Sequence, residues 1–293
     1  MGNLRYSIKD LENFTQIKAH TIRIWEQRYG LLEPKRTSSN IRYYNQDDLK
    51  KLLNINLLYN SGFKISKIAA LTDAEIIEEA KAKILITNEE KQSEIDALIL
   101  LILGFKGNKI KETLEQHLKT HTLDEMYMTI ILPLLDKIGQ LWQVDTFNII
   151  HEHYFSTIFR ELVFAKIAEI KTGEDPSKTA LLFLHDNEEH EFSLLIFHYI
   201  LKKKGYICHN FGQKVPMEEV LLAHKQIKPQ VVVTTFTAKL SEKKFEKIEK
   251  VLVKIAKTAK VMVSGFQIDN LENPISKSLH HVRTIDELSR LTD

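Results

Sequence analysis

The last third of the sequence alternates short strand-forming runs with longer stretches in which apolar residues recur at helical spacing. The runs lie at Ala180–Leu184, Tyr206–Phe211, Val231–Val233 and Val261–Val263. Three of these runs are apolar throughout, as is typical of strands buried on both faces. A helix between two successive strands allows the strands to run parallel. The pattern predicts a doubly wound, Rossmann-like parallel sheet over residues 176–293. Ligands of such sheets bind beyond the carboxyl ends of the strands, which here are followed by loops 186–191, 235–240 and 264–270.

Glycine, proline and capping residues indicate where the helices of this region begin and end. Gly205 follows an amphipathic stretch and is expected to end that helix, while Pro216 is expected to begin the next one. Thr284 and Glu287 have the spacing of a capping box, which predicts a last short helix. The pair His280-His281, just before it, is expected to lie in a solvated loop.

The central part of the sequence, residues 76–175, has helical periodicity and few strand signals. A capping box at Thr122 begins a helix that continues to Trp142, and Pro133 is expected to kink that helix. A further helix is expected over residues 147–171. Helices of this length and number predict a bundle, so that the whole chain has an α plus α/β organisation.

Composition excludes several classes of protein. A single cysteine, Cys208, excludes a disulfide framework and a thiolate metal site. The longest apolar run, Ala97–Leu103, is far shorter than the roughly 20 residues that span a bilayer. The amino terminus also lacks the apolar core of a secretion signal. We therefore expect a soluble, cytoplasmic protein without a membrane partner.

The first 75 residues contain two short helices followed by a turn-rich stretch. Ser7 is a suitable N-cap for the first helix, and the second is expected to run from about Ile17 to Arg28. Its apolar residues recur at helical spacing and should face the core. The outward positions are then His20, Arg23, Gln27 and Arg28. A short helix with a polar, basic outer face is suited to the major groove of duplex DNA.

The turn-rich stretch, Glu33–Asn40, lies within a segment from Gly30 to Tyr44 that predicts a β-hairpin, or wing. Lys35, Arg36 and Arg42 flank its small polar centre and can contact phosphates. Residues 1–75 carry twelve basic and eight acidic side chains, a net charge of +4, whereas the whole chain has a net charge of +2. A basic module on a near-neutral body is typical of a DNA-binding domain.

These residues resemble a known signature. The segment 21–31, Thr-Ile-Arg-Ile-Trp-Glu-Gln-Arg-Tyr-Gly-Leu, followed by Pro34, Arg36 and the Arg-Tyr-Tyr at 42–44, resembles the MerR family and is similar to its light- and cobalamin-responsive branch. The resemblance implies a bacterial regulator with a winged helix-turn-helix over residues 1–75. It also implies a dimer that binds and distorts a palindromic promoter duplex.

The resemblance also suggests which side chains contact DNA. The expected contacts are Thr21, Arg23, Arg28, Lys35, Arg36, Arg42 and Tyr43. Arg28 has an alternative role, since it could brace the helix through Glu26 or Asp48.

A second resemblance concerns the central helices. Nine residues separate Trp142 from the pair Glu152-His153, and Pro133 lies upstream. This arrangement is similar to the pattern of helical cobalamin-binding modules in light-sensing MerR-type regulators. It implies that Trp142 covers the upper face of the corrin, where the adenosyl group of adenosylcobalamin lies. Glu152 and His153 would crowd the same side. The residue types alone fit simple packing of the indole against the next helix as well.

A third resemblance lies in the loop after the first strand of the sheet. Glu188-x-His190-x-x-Ser193 resembles the cobalamin-binding pattern Asp/Glu-x-His-x-x-Gly. It implies that the imidazole of His190 ligates the metal, cobalt, and that Glu188 orients the ring and raises its basicity. An exposed histidine in an acidic loop is the other interpretation of these residues.

Three positions depart from the cobalamin-binding pattern. Ser193 replaces a glycine, Thr235 stands where the family has serine, and Ser264-Gly265 stands where it has two glycines beside the nucleotide tail. Each departure is small, and all of these residues are still expected to line the cofactor. Together they leave open whether the cofactor is retained.

The sequence therefore predicts a DNA-binding transcription regulator, not an enzyme, with domains over residues 1–75, 76–175 and 176–293. Its C-terminal module would sense cobalamin, with adenosylcobalamin as the preferred form, and light would cleave the cobalt–carbon bond. Binding of the cofactor would be coupled to the oligomeric state of the protein. Expected partners are double-stranded promoter DNA and further copies of the chain, in a dimer or higher oligomer. Two alternatives stay open. One is a regulator that lost the cofactor and uses this module for dimerisation or partner binding, and the other is a cobalamin-dependent methyltransferase or mutase subunit.

Overall fold

A computed structural model describes residues 5–15, 17–37, 40–85, 91–143, 147–171, 173–271 and 274–292. Backbone contacts divide the chain into two units. The first unit comprises Met1–Thr113 and Met128–Ser156, and the second comprises Leu114–Tyr127 and Thr157–Asp293. Among the described helices, none is both long enough and apolar enough to cross a bilayer.

The amino-terminal part of the first unit is a helix pair followed by a small hairpin. Its elements are α1 (Ile8–Thr15), α2 (Ala19–Tyr29), β1 (Lys35–Arg36) and β2 (Arg42–Tyr43), with the two strands antiparallel. Ser7 caps α1 as predicted, because its Oγ accepts the Asp10 N–H at 3.2 Å. Gly30 ends α2 with φ of 64°, a conformation that other residues adopt only with strain. The predicted hairpin tip includes residues 38 and 39, which lie outside the described residues.

The first unit continues as helices. These are α3 (Gln46–Asn60), α4 (Ile65–Ile68), α5 (Asp73–Leu85) and α6 (Lys91–Leu103). Asn45 begins α3 through a capping box with Asp48, in which each side chain accepts the other residue's backbone N–H at 2.8 Å. The helix pair, α3 and α5 share one core that contains Leu11, Ile22, Trp25, Leu52 and Ile76.

The central helices contain the predicted capping box and an unpredicted irregularity. The elements are α7 (Gly107–His117), α8 (Leu123–Met126), a π-helix (Tyr127–Ile131), α9 (Leu132–Gln143) and α10 (Ile149–Glu169). Thr122 accepts the Glu125 N–H at 3.3 Å, as predicted. A π-helix lies just before Pro133, the position at which the sequence predicts a kink. Proline lacks an N–H and its ring crowds the carbonyl four residues earlier, which here belongs to Thr129, so the wider turns remove the clash.

The second unit contains the predicted parallel sheet. Its strands are β3 (Thr179–Leu182), β4 (Ile207–Asn210), β5 (Val231–Thr235), β6 (Lys260–Ser264) and β7 (His280–His281). All neighbours are parallel, in the order β4-β3-β5-β6-β7. Every residue of β3 and β5 is buried, which explains the apolar runs in the sequence. The order reverses between β3 and β5, and such switch points are where doubly wound sheets bind ligands.

Five helices connect or follow these strands. They are α11 (Phe192–Lys203), α12 (Met217–Ile227), α13 (Glu242–Ile255), α14 (Phe266–Asp269) and α15 (Ile285–Thr292). Gly205, with φ of 84°, follows α11, and Pro216 is the N-cap of α12, as the sequence predicts. The Thr284 hydroxyl accepts the Glu287 N–H at 3.1 Å, and the Glu287 carboxylate accepts the Arg283 N–H at 2.7 Å.

One prediction for this region is wrong. His280 and His281, expected in a solvated loop, form the edge strand β7 in register with Met262 and Val263. Both histidines are half-buried. Two polar residues have no apolar alternation, so only the backbone of β6, which is distant in sequence, makes them a strand.

Candidate nucleic-acid interface and cofactor loop

The outward face of α2 is basic and is backed by a firm core. Ile22 is fully buried and Trp25 is 6% exposed, with the indole edge-on to Tyr59 at a centroid distance of 5.3 Å. Arg23 and Arg28 are exposed on the opposite side. Thr21 is half-buried near the start of the helix. A short helix anchored in this way can present its polar face to a DNA groove without losing core contacts.

The hairpin carries the remaining predicted DNA contacts. Lys35 and Arg36 are exposed, and the Arg36 guanidinium donates to Asn40 Oδ1 at 2.8 Å, which fixes the return of the strand. Arg42 and Tyr43 are half-buried on the opposite strand. The guanidinium of Arg5 lies over the Tyr43 ring at 4.7 Å. Positive side chains therefore line both strands of the wing.

A buried pair between α2 and the wing was not anticipated from the sequence. The Tyr44 hydroxyl, on a fully buried side chain, donates to Glu26 Oε1. Burial, reinforced by the Glu26 carboxylate, raises the pKa of Tyr44. Glu26 is thus engaged with Tyr44, and Asp48 caps α3, whereas the guanidinium of Arg28 lies over the Tyr29 ring at 5.5 Å. Among the described residues, Arg28 therefore makes no contact with Glu26 or Asp48 that would let it brace the helix.

Glu188 is the centre of the loop that follows β3. Its side chain is fully buried. Oε1 accepts the N–H groups of Glu189 and His190, each at 2.9 Å. Oε2 accepts those of Thr237 and Ala238 at 2.7 and 2.8 Å. Burial alone would raise the pKa of Glu188, but the hydrogen bonds from His190, Ala238 and Thr237 hold it at about 2.

The same carboxylate orients His190. Glu188 Oε1 lies 2.7 Å from His190 Nδ1, and the imidazole is 61% exposed. An ionised carboxylate at Nδ1 favours the neutral tautomer with the proton on that nitrogen. The lone pair of the ring is then on Nε2, which is the atom such a histidine offers to a metal.

The predicted residues in the other two loops are brought to the same edge of the sheet. Thr235 is fully buried at the end of β5, and Ser264 is half-buried at the end of β6. Gly265 has φ of 111°, and a Cβ there would lie 2.5 Å from the Phe236 carbonyl oxygen. This glycine is therefore required by contact with the neighbouring loop. Gln267 adds a hydrogen bond from its N–H to the same oxygen at 3.0 Å.

Three consecutive residues after His190 are held by helical side chains that the sequence did not identify. Arg160 on α10 donates to the Glu191 carboxylate, and Phe159 lies edge-on to Phe192 at a centroid distance of 5.0 Å. The hydroxyl of Tyr127, a buried side chain, lies 2.8 Å from Ser193 Oγ. The serine that replaces the glycine of the pattern thus has a partner, 66 residues away in sequence.

His185 is another residue that the sequence did not single out. It is fully buried three residues after β3, and its Nδ1 accepts the Asn187 N–H at 3.2 Å. Its ring lies against Phe236 at a centroid distance of 5.0 Å, and burial lowers its pKa. A neutral imidazole therefore supports the start of the loop that contains Glu188.

Two family models match the chain. Residues 6–75 match the family described as MerR HTH family regulatory protein, and residues 94–165 match the family described as B12 binding domain. The chain carries a MerR domain joined to a B12-binding domain. The resemblances to the MerR family and to the helical cobalamin-binding module are thereby confirmed at the level of these domains, whereas the loop pattern around His190 lies outside both matched segments.

Relatives align with the chain through both domains. The chain is 24% identical over 252 residues to the HTH-type transcriptional repressor CarH of Myxococcus xanthus, in an alignment that covers 84% of this chain and 83% of CarH. It is 23% identical over 285 residues to the HTH-type transcriptional repressor CarA of the same organism, covering 96% and 94%. The chain is therefore homologous to these repressors and is a DNA-binding transcription regulator with a MerR domain.

A solved structure supports the fold of the remainder. The chain is similar to the monomethylamine corrinoid protein of Methanosarcina barkeri with a TM-score of 0.52 and 13% sequence identity, over 69% of this chain and 98% of that one. This likeness confirms the predicted order of a helical region followed by a parallel, Rossmann-like sheet.

The predicted cofactor residues fall in both units. Trp142, Glu152 and His153 belong to the first unit and lie within the segment matched by the B12-binding domain. Trp142 is half-buried near the end of α9, whereas Glu152 and His153 are exposed near the start of α10. The residues of the three sheet loops, from Glu188 to Gly265, belong to the second unit.

Proposed function

We propose that the chain represses or activates transcription by binding promoter DNA through its MerR domain, under the control of cobalamin bound through His190. The observation that carries the proposal is an exposed imidazole held by a buried, ionised carboxylate in a chain with a B12-binding domain. We further propose a cytoplasmic homo-oligomer, a dimer or higher, whose assembly sets the avidity for paired half-sites.

The chemistry of the loop suits the cobalt of a corrin better than a free metal ion. Within the described ranges, histidine, cysteine, aspartate and glutamate side chains do not gather in a group of three that could chelate a metal. One imidazole with a fixed tautomer is instead what a metal already held by a macrocycle needs from the protein. Cobalamin, when bound, would supply a cobalt–carbon bond that light can break.

Each residue of the proposed site then has a separate task. His190 would ligate the cobalt, and Glu188 would keep the imidazole proton on Nδ1. Ser193, Thr235, Ser264 and Gly265 would shape the loops beside the cofactor, and Trp142, Glu152 and His153 would contribute from the B12-binding domain. Adenosylcobalamin is the form we propose, because the resemblance of the Trp142 pattern to helical cobalamin-binding modules implies an adenosyl group on the side that the indole covers.

Substituting His190 by alanine tests the cofactor assignment. We expect purified protein mixed with adenosylcobalamin to give a bound spectrum with histidine ligation, and the variant to give the spectrum of cobalamin without an imidazole ligand. His224→Ala is a matched control, because its imidazole on α12 lies beside Thr258. The measurement is the visible absorption of the holo-protein before and after illumination. An unchanged spectrum in His190→Ala refutes the ligand assignment, and colourless protein favours a regulator that has lost its cofactor.

Substituting Arg23 by alanine tests the DNA-binding face. We expect about a tenfold loss of affinity, or about 1.4 kcal/mol, for duplexes selected by the wild-type protein from a random pool. Lys67→Ala, which removes an exposed charge from α4, should change the affinity less than about twofold. The measurement is fluorescence anisotropy over a range of salt concentrations. Equal losses in the two variants contradict a role for the outward face of α2.

The proposed role is regulatory and not enzymatic. The named relatives are transcriptional repressors. Burial raises the pKa of Cys208, the single cysteine, to about 12, so this thiol is not poised as a nucleophile. A methyltransferase or mutase subunit would instead turn over substrate on the bound cofactor without any requirement for DNA.

A further inference from the structure

A lysine of the MerR domain covers a tryptophan of the B12-binding domain. The Lys50 ammonium lies 4.8 Å from the centroid of the Trp142 ring. Lys50 is on α3, within residues 6–75, and Trp142 is on α9, within residues 94–165. Both helices belong to the first unit, in which α3 and α5 contact α9. The contact is therefore a junction between the two functional domains.

The surroundings of this junction favour the contact. Trp142 is the second-last residue of α9, where the helix dipole attracts a cation in addition to the attraction of the indole face. The helix itself is held in place by Ile138 and Leu141, which are buried. Lys137 fixes it further through a bond to Asp96 on α6 at 2.6 Å. The indole is thus presented at a defined position, and Lys50 lies over one face of it.

The adjacent lysine has a different partner. Lys51 Nζ lies 2.7 Å from Asp73 Oδ1 on α5, and the two lysines are similarly half-buried. A substitution at Lys51 therefore removes the same charge from the same turn of α3 without uncovering the indole.

We propose that Lys50 closes the face of Trp142 in the cofactor-free protein, so that docking of the MerR domain and binding of cobalamin compete for this indole. The proposal rests on the function proposed above, which places Trp142 against the cofactor. Because coupling between two binding events is reciprocal, uptake of cobalamin weakens the docking of α3 on α9 and frees the MerR domain. The Lys50–Trp142 contact is then the link by which the cofactor reaches the DNA-binding domain.

The first measurement needs no cofactor. Acrylamide quenching reports on Trp142, since the only other tryptophan, Trp25, is 6% exposed. Lys50→Met keeps an unbranched side chain but removes the ammonium, and we expect it to increase the quenching constant, whereas Lys51→Met leaves it unchanged. Equal melting temperatures of the variants show that both remain folded. Unchanged quenching in Lys50→Met overturns the proposal, because the ammonium does not then cover the indole in solution.

The second measurement is the affinity for adenosylcobalamin in the dark, followed by absorption. Removing the competing contact should tighten binding about two- to fivefold in Lys50→Met, the range that corresponds to an exposed cation–π contact, and should leave Lys51→Met like the wild type. Equal affinity of Lys50→Met and the wild type, with increased quenching, overturns the competition. If no variant binds cobalamin, the proposed function fails and the competition with it, while the quenching still decides whether Lys50 covers Trp142.

Discussion

Replacing Glu188 by alanine is expected to lower the free energy of unfolding by about 4 kcal/mol. The carboxylate is fully buried and accepts four backbone N–H groups, two from its own loop and two from the loop after β5. Alanine leaves these four part-buried donors without their acceptor, and it removes the charge that holds the His190 ring. The loops after β3 and β5 should therefore separate, and histidine ligation of cobalamin should be lost with the stability.

Two further variants separate charge from size. In Glu188→Gln the side chain has almost the same shape, but its amide NH₂ must face either the N–H groups of the first loop or those of Thr237 and Ala238. Because two donors then oppose each other, glutamine should recover less than half of the loss. Glu189→Ala is the matched control, since its pair with Lys214 at 2.7 Å is exposed on both sides and should contribute little to stability.

Urea unfolding measures the change in free energy, and hydrogen exchange shows where it arises. The amides of residues 189, 190, 237 and 238 should exchange faster in Glu188→Ala and keep their protection in Glu189→Ala. Equal losses of stability in these two variants would show that the buried carboxylate does not join the loops.

The features that could be predicted from the sequence are those set by neighbours along the chain. The apolar runs of β3 and β5 follow from burial on both faces, and the cap at Thr122 follows from residues three positions apart. The orientation of His190 by Glu188 is also local, because the two residues are separated by one position. Local physics therefore gave the sheet and the predicted helix ends, whereas the contact between Glu188 and His190 was implied by the resemblance to the cobalamin-binding pattern.

The features that were missed depend on partners far away in sequence. Glu188 has the sequence context of an exposed acid, and it is buried because Thr237 and Ala238 supply backbone donors from another loop. The Tyr127–Ser193 bond and the contact of Lys50 with Trp142 join residues from different helices. No periodicity encodes such pairs, because each side chain satisfies its own helix equally well without the other.

His198 is expected to make the protein less stable in mild acid. Burial, together with Lys202 one turn further along α11, lowers the pKa of His198 to about 4, from an ordinary value of about 6.5. The amide of Asn210 lies 3.3 Å from its Nδ1 and suits a neutral ring that accepts. Below a pH of about 6.5 the unfolded chain binds a proton that the folded chain does not take up until about pH 4. The free energy of unfolding that the neutral ring contributes is therefore fully present above pH 6.5. It falls as the pH is lowered from about 6.5 to about 4, and it levels off below pH 4.

The full effect is about 3 kcal/mol, and it is measured by urea unfolding at intervals between pH 7 and pH 4. In His198→Gln the glutamine oxygen can still accept from Asn210 but does not titrate, so the variant should lose this part of the pH dependence. Lys202→Gln removes the like charge but leaves the burial, which is the larger cause of the lowered pKa. The pH range over which stability falls should therefore become narrower in this variant but should not disappear. Subtracting the His198→Gln curve from that of the wild type isolates the histidine from every other titrating group. Parallel curves for these two proteins would mean that the His198 ring is protonated as easily in the folded chain as in the unfolded one.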